Sequence, residues 1–176
     1  QPYLQDSFRV SLVTLPIVVL INLGLGKTTV IPPKRYKAKK PETISHLAAA
    51  IGQHSVETII ASPSVFHTIG TAIEYRLVKK ILTGGGPVFP TLAQQIIKIF
   101  PNAEARVVYG STGAAPISSL QMRELVGVDP GQILASGLPV GRVHNEARVA
   151  IISYADRNIE VYSLAEWNAL QLPVGT

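Results

Sequence analysis

The segment Ile81-Leu82-Thr83-Gly84-Gly85-Gly86-Pro87 reads as a short strand that runs into a turn of three glycines. Further along the chain comes a second such segment, Val107-Val108-Tyr109-Gly110-Ser111-Thr112-Gly113. Glycine has no side chain, so its backbone amides can approach a ligand closely. An amphipathic helix over 90–100 connects the segments, and this βαβ order brings both turns to the carboxyl ends of neighbouring strands. The two turns therefore predict a nucleotide-sized binding site.

Strands and helices alternate through most of the chain. Each predicted helix begins at a proline, which is common at the first helical position, and carries one apolar stripe. The predicted strands lie at 28–31, 57–61, 80–83 and 105–108, and the helices begin at Pro41, Pro63 and Pro90. This order predicts an α/β fold, a mainly parallel sheet with helices on both faces.

The pattern changes in the last part of the chain. The segments 148–154 and 159–163 flank a polar turn and read as an antiparallel hairpin. We therefore predict an α/β subdomain over 1–130 and a β-rich extension over 131–176 that begins a further subdomain.

The segment from Val10 to Gly26 contains no charged residue. It is shorter than the roughly 20 apolar residues that a membrane span needs, and it contains Pro16 and Asn22. It also lacks the small-residue cleavage site of a signal peptide and leads directly into a strand. We predict a buried helix here, and no membrane span.

Composition excludes several classes of function. The 176 residues are 47% hydrophobic and 15% charged, which is typical of a globular protein, and they include no cysteine. Disulfides and thiolate zinc sites are thereby excluded, and a cytoplasmic location is predicted. The four histidines show no metal-ligand spacing, and Gly26-Lys27-Thr28 lacks the first glycine of a phosphate-binding P-loop.

The chain is basic, with a formal net charge of +5. Five of its cations cluster in one proline-flanked run: Lys34, Arg35, Lys37, Lys39 and Lys40. Such runs are usually solvated loops. Contact with an anionic ligand such as coenzyme A, or with nucleic acid, is the alternative. No nucleic-acid-binding motif accompanies the run, so we predict no nucleic-acid partner.

Several blocks of the sequence resemble the adenylate-forming superfamily, which includes acyl-CoA synthetases, fatty-acyl-AMP ligases and peptide-synthetase adenylation domains. The likeness runs from Thr14 to Val126 and is to the second subdomain of those enzymes, with most similarity to the bacterial fatty-acid ligases. Later pieces at 137–141 and 148–152 also resemble the family. The main blocks are Leu15-Pro16, Gly26-Lys27-Thr28-Thr29-Val30-Ile31-Pro32, Ala61-Ser62-Pro63, Thr83-Gly84-Gly85-Gly86-Pro87-Val88-Phe89-Pro90 and Tyr109-Gly110-Ser111-Thr112.

The resemblance implies acyl activation, in which a carboxylic acid, here a fatty acid, attacks ATP to form an acyl-adenylate that then passes to a thiol. ATP or AMP, magnesium and coenzyme A are the implied cofactors. By position, Gly84, Gly85 and Gly86 would border the adenine and acyl pocket. In the second turn Tyr109 would stack on the adenine and Thr112 would bind phosphate, with Gly110 and Ser111 between them. No catalytic residue and no metal ligand is assigned.

Two departures from the family pattern accompany these matches. Where the family has a magnesium-binding glutamate this chain has Gly113, and where it often has an aromatic or histidine beside the acyl pocket this chain has Ile17 and Val18. The family's phosphate loop would precede Gln1, and its ribose-binding aspartate and catalytic lysine would follow Thr176.

We therefore expect a fragment of an acyl-activating enzyme, inactive alone, whose partners are the nucleotide, the acyl substrate and the remaining subdomains of the parent protein. The alternative is a degenerate, non-catalytic nucleotide-binding or interaction domain of the same fold.

Overall fold

The computed structural model describes residues 7–32, 41–69, 75–111, 113–152 and 163–172. The strands in these ranges are β1 (Val10–Val13), β2 (Thr28–Val30), β3 (Thr58–Ala61), β4 (Lys80–Gly84), β5 (Glu104–Ser111), β6 (Ala114–Gln121) and β7 (Arg142–Val143). The helices are α1 (Pro16–Gly24), α2 (Pro41–Gln53), α3 (Pro63–Phe66), α4 (Pro90–Ile99), α5 (Met122–Val126), α6 (Pro130–Ser136) and α7 (Leu164–Leu170).

The described strands form one sheet in the order β2-β1-β3-β4-β5-β6-β7. The first five of these pair in parallel, whereas β6 and β7 join antiparallel. The predicted α/β class, with a mainly parallel sheet and antiparallel strands toward the C-terminus, is confirmed. Strand β2 lies on one side of β1, whereas β3, β4 and β5 follow one another on the other side, so the direction in which strands are added reverses at β1. In such sheets ligands bind beside the carboxyl ends of the strands, where this direction reverses.

One face of the sheet carries the main hydrophobic core. Side chains alternate along a strand, so Leu12, Ile59 and Ile81 point to the same face. Helices α2, α3, α4 and α5 cover this face, with Leu47 and Phe66 completely buried against it. Burying one such large apolar side chain stabilises a fold by about 1.5–3 kcal/mol. This face therefore supplies most of the stability of the described structure.

Helix α1 packs on the other face of the sheet. A small cluster joins it to the sheet through Val13, Val18, Ile60 and Leu82. The prediction of one buried helix over 10–26 is wrong in two respects. Residues 10–13 pair with both β2 and β3 as a strand, and the helix begins only at Pro16. Its only buried residues are Val18 and Asn22.

The second predicted glycine segment also differs from a simple strand and turn. Strand β5 continues to Ser111, past the predicted end at residue 108, because β6 pairs with it in a hairpin. The register of this pairing shifts between Tyr109 and Ser111. Tyr109, Gly110 and Ser111 therefore belong to a strand.

The predicted hairpin over 148–163 lies mostly outside the described residues. In the described part of 131–176, α6, α7 and β7 are short, and an isolated bridge joins Ile152 to Gln171. The division of the chain at residue 130 stays a prediction. Within the described ranges, no helix combines the length and the apolar character needed to cross a membrane.

Candidate functional site

A groove of about 540 Å³ lies between α1 and the carboxyl-terminal parts of β3, β4 and β5. Helix α1 and the residue before it form one wall, and the sheet forms the other. The lining residues are Leu15, Ile17, Val18, Ile21, Ile60, Leu82, Thr83, Gly84, Gly85, Val108, Gly110, Ser111, Ala115 and Pro116. None of them is charged, so the groove favours an apolar ligand.

Gly84 and Gly110 lie where the strands approach each other too closely for a side chain. A Cβ added to Gly84 would lie 2.5 Å from the carbonyl oxygen of Val108. A Cβ added to Gly110 would lie 2.9 Å from the carbonyl oxygen of Ala114. The two glycines thus allow close packing of the strands at the groove wall.

The structure brings four of the predicted site residues together in the groove: Gly84, Gly85, Gly110 and Ser111. Gly85 forms the turn after β4 with φ +77°. Gly86 is not a lining residue and lies beside Pro63, whose Cγ would be 3.7 Å from an added Cβ.

The aromatic ring predicted to stack on adenine is not a groove residue either. Val108 lines the groove, and alternation along β5 directs Tyr109 to the opposite face of the sheet. The Tyr109 side chain is 49% exposed, which leaves its ring accessible to a flat ligand. The end of β5 therefore separates an apolar groove from an aromatic surface. Thr112 lies outside the described residues.

Hydrogen bonds join the carboxyl ends of β1 and β3 near the groove. The backbone amide of Thr14 donates to the carbonyl oxygen of Ile60 at 3.1 Å. The amide of Ser62 donates to Oγ1 of Thr14 at 3.3 Å, and the Ser62 and Ser64 hydroxyls lie 2.9 Å apart. These contacts fix the entry of the chain into α1 and hence the position of the helical wall.

Sequence reasoning missed most of the groove wall. Ile60 and Leu82 were assigned only to strands, and Ile21 to a buried helix. The sequence did indicate a pocket position for Ile17 and Val18, because the resembling family often has an aromatic or histidine there, beside its acyl pocket. Nothing in the sequence indicated that Ala115 and Pro116 line the groove, because only the β5–β6 hairpin brings them back beside β5.

The described residues include no group of three or more histidines, cysteines, aspartates or glutamates placed to hold a metal ion. Gly113, at the position of the family's metal-binding glutamate, has φ +83° and no side chain. The basic run from Lys34 to Lys40 lies outside the described residues.

No protein-family model matches the chain. Over 97% of its length, the chain is 29% identical to olefin beta-lactone synthetase of Stenotrophomonas maltophilia (strain K279a), and it spans 30% of that protein.

Solved structures with the same fold include IdnL1, with a TM-score of 0.66 and 16% identity over 86% of this chain and 32% of that one. Unliganded o-succinylbenzoate coenzyme A synthetase (MenE) of Bacillus subtilis has a TM-score of 0.61 and 17% identity, over 92% of this chain and 33% of that protein. At these identities the likeness is one of fold. The proteins that the chain resembles are adenylate-forming enzymes, and the predicted resemblance is confirmed.

Proposed function

We propose that this chain is the acyl- and adenine-binding part of an enzyme that activates a carboxylic acid as its adenylate and passes the acyl group to a thiol. The observation that carries the proposal is the uncharged groove ending at Gly84, Gly85, Gly110 and Ser111, with the ring of Tyr109 on the far side of the same strand end. The groove takes the acyl chain, and the aromatic surface takes the base.

The groove suits a fatty acid. Its walls are mainly aliphatic, and Ile17 and Val18, where the resembling family often has an aromatic or histidine, leave the groove without an aromatic side chain or a charge. Each methylene group transferred from water to such a surface contributes about 0.8 kcal/mol. An unbranched chain therefore gains affinity with length until it reaches the end of the groove.

The nucleotide is held by stacking and by backbone contacts. The half-exposed ring of Tyr109 offers a stacking face, worth about 1–3 kcal/mol per base. The turn from Gly84 to Gly86 offers backbone amides, and the hydroxyls of Ser111 and Thr112 follow the ring in sequence. These groups alone correspond to an affinity of about 1 mM.

Among the described residues, no group of three or more histidines, cysteines, aspartates or glutamates is placed to hold magnesium. A divalent cation would neutralise phosphate charge in the adenylation step, but it requires oxygen ligands that Gly113 does not offer. The residues of this chain bind and orient the acyl chain and the base, and the apolar walls exclude water from the acyl chain.

The remaining subdomains of a longer polypeptide would complete the enzyme. The chain spans about 30% of the curated relative that it matches and about a third of the solved structures described above. We propose that those subdomains provide the phosphate loop, the ribose contact and the catalytic lysine, and that the protein works in the cytoplasm.

A second candidate is a non-catalytic nucleotide-binding or interaction domain of the same fold. Gly113 favours it, because the residue both lacks a carboxylate and has a backbone conformation that a glutamate rarely adopts. The two candidate functions predict different activities for the complete polypeptide, but both predict that it binds AMP.

Titration followed by NMR tests the shared binding site. AMP and a non-hydrolysable acyl-adenylate analogue should shift the backbone amides of Gly84 to Gly86 and of Gly110 to Gly113. Tyr109→Ala should abolish most of the AMP affinity, about a tenfold loss or more. Tyr109→Phe keeps the ring and is the matched control, so it should bind like the natural chain.

The basic run supplies the competing explanation. Neutralising Lys37, Lys39 and Lys40 together should change AMP affinity little. Shifts confined to residues 33–40, with none at the glycine turns, would show an anion-binding loop and overturn the assignment of the groove.

A further inference from the structure

A second cleft lies on the sheet at β5, β6 and β7, and we call it the β6 cleft. Its volume is about 570 Å³, and none of its lining residues lines the groove. Most of the lining residues are polar, and the ionisable ones are Arg106, Arg142, Glu124, Glu146 and His144. The β6 cleft therefore suits a polar ligand, in contrast to the uncharged groove.

The register of the sheet places the two arginines of the β6 cleft on one face. Arg106 of β5 lies opposite Gln121, and Arg142 of β7 lies opposite Ser119. Gln121 and Ser119 are two residues apart on β6, so all four side chains point to the same face of the sheet. From the strand spacing and the rise per residue, the Cα atoms of the two arginines are about 12 Å apart. Two long side chains that start at this separation can meet over β6.

Neighbouring contacts fix the positions of both arginines. Nε of Arg106 donates to Oε1 of Glu104 at 2.7 Å, and the Arg106 side chain is only 24% exposed. A guanidinium group has five N–H donors, so it can also bind a ligand while Nε donates to Glu104. Gly141, with φ +79°, packs so closely on β6 that an added Cβ would overlap the carbonyl group of Ser119. Glycine at this position therefore brings Arg142 close to β6.

The two carboxylates of the β6 cleft lie at its ends. Glu124 follows β6 in α5, where its side chain accepts a hydrogen bond from the backbone amide of Gln121 at 3.2 Å. Glu146 follows β7, which runs antiparallel to β6 and hence toward the start of that strand. The arginines lie between these two ends. The middle of the cleft is therefore positive, although the arginines and glutamates of the whole lining balance each other.

We propose that the β6 cleft binds an oxyanion group, the phosphate or carboxylate of a small metabolite, between Arg106 and Arg142. The guanidinium fork matches the paired oxygens of such a group, and Gln121 lies on the same face with an amide that can donate to it. A metal ion is not the ligand expected here, because the described residues include no cluster of histidines and carboxylates placed to hold one. The β6 cleft is separate from the groove, so this inference does not rest on the proposed function.

Titration of the 176-residue chain with inorganic phosphate and with citrate, followed by NMR at constant ionic strength, tests the site. Saturable shifts should appear at the backbone amides of residues 119–121 and 142–144, with none at the turn from Gly84 to Gly86. Saturation by phosphate alone would assign the site to a phosphorylated ligand, and saturation by citrate alone would assign it to a carboxylate. Either result supports the inference, as does saturation by both.

Substitutions separate the two arginines from general charge effects. Arg106→Gln and Arg142→Gln should each weaken binding of the probe about tenfold, because each removes one charge-assisted contact. Arg142→Lys keeps the charge without the fork, so its affinity should lie between those of the natural chain and Arg142→Gln. Arg142 is exposed, so neither of its variants should change the Tm. They therefore test the site even if Arg106→Gln, which breaks the pair with Glu104, destabilises the sheet.

Arg123→Gln is the matched control. Arg123 is an exposed arginine of α5 that does not line the β6 cleft, so its replacement removes the same charge from the chain and should leave binding unchanged.

Three results would overturn the inference. The first is shifts that grow linearly with phosphate and citrate concentration and do not saturate, which would show a general ionic effect. The second is saturable binding that neither Arg106→Gln nor Arg142→Gln weakens, or that maps to the glycine turns or to residues 33–40. The third is a complete polypeptide that binds neither probe, because the site would then not exist in the whole protein.

Discussion

Gly113 shows how a single backbone conformation limits what a position can do. It follows β5 in the turn to β6 and has φ +83°, a backbone conformation that is strained for residues other than glycine. Restoring the family's carboxylate as Gly113→Glu should destabilise the fold by about 1–3 kcal/mol. It should therefore add no magnesium dependence to AMP binding.

Urea denaturation, with AMP titrations in the presence and absence of MgCl₂, measures both effects. Gly127→Glu is the control, because Gly127 has φ −86° and no atom within 4 Å of an added Cβ. Tighter AMP binding in magnesium by a fully stable Gly113→Glu variant would contradict the argument.

Tyr75 is a buried ionisable residue away from the groove. Its ring packs on Phe100 at 4.7 Å, and its hydroxyl has no hydrogen-bond partner among the residues that the structure describes. Burial raises the pKa of Tyr75 to about 12. The folded protein therefore holds this proton more tightly than the unfolded chain, in which the pKa is about 10.

The stability that depends on this proton is complete below pH 10 and decreases as the pH rises toward 12. Tyr75→Phe removes the group, so the variant should lose less stability than the natural chain over this interval, by on the order of 2 kcal/mol. At pH 7 it should be as stable or slightly more stable, since no buried hydroxyl is left without a partner. Urea denaturation measures the free energy of unfolding of both proteins from pH 9 to 12. An equal decrease in the two proteins over this interval would contradict the prediction.

At the scale of elements, helix α6 depends on its cap more than on packing. None of its residues is buried. The Asp129 carboxylate accepts hydrogen bonds from the amides of Gly131 at 2.8 Å and Gln132 at 3.3 Å. A capping side chain of this type contributes about 0.5–2 kcal/mol to a helix.

Asp129→Ala should therefore unfold α6 locally while leaving the sheet intact. Amide hydrogen exchange over 130–136 should accelerate, and exchange in β3 and β4 should stay as it is. Asp129→Asn retains a capping acceptor and should behave like the natural chain. Uniform acceleration across the sheet would mean that α6 supports the whole fold.

At the scale of the whole molecule, the 176 residues carry only part of the proposed reaction. The isolated chain should show background rates of fatty-acid-dependent exchange between pyrophosphate and ATP, because no phosphate loop, metal carboxylate or catalytic lysine has been assigned within it. The complete polypeptide should show exchange if it is the proposed enzyme. Clear turnover by the purified 176-residue chain would show that the missing groups have been misassigned.

Local patterns in the sequence were sufficient to predict the parallel strands β2 to β5 and the starts of α2, α3 and α4. A proline at the first helical position and an alternation of apolar residues are properties of neighbouring residues, so they need no tertiary contact to be read. The same is true of the glycine turn after β4, whereas the second glycine segment continues β5 into its hairpin with β6. The family resemblance rests on the two glycine segments and on other short blocks.

The position of α1 and the shape of the groove depended on contacts between distant segments. The uncharged run from Val10 to Gly26 divides into a strand and a helix only because residues 10–13 pair with β2 and β3, and neither partner is near in sequence. Pairing of β5 with β6 likewise placed Val108 in the groove and Tyr109 on the other face, and set Gly113 at positive φ. Local periodicity specifies which residues are apolar, whereas strand order and register decide which of them face a ligand.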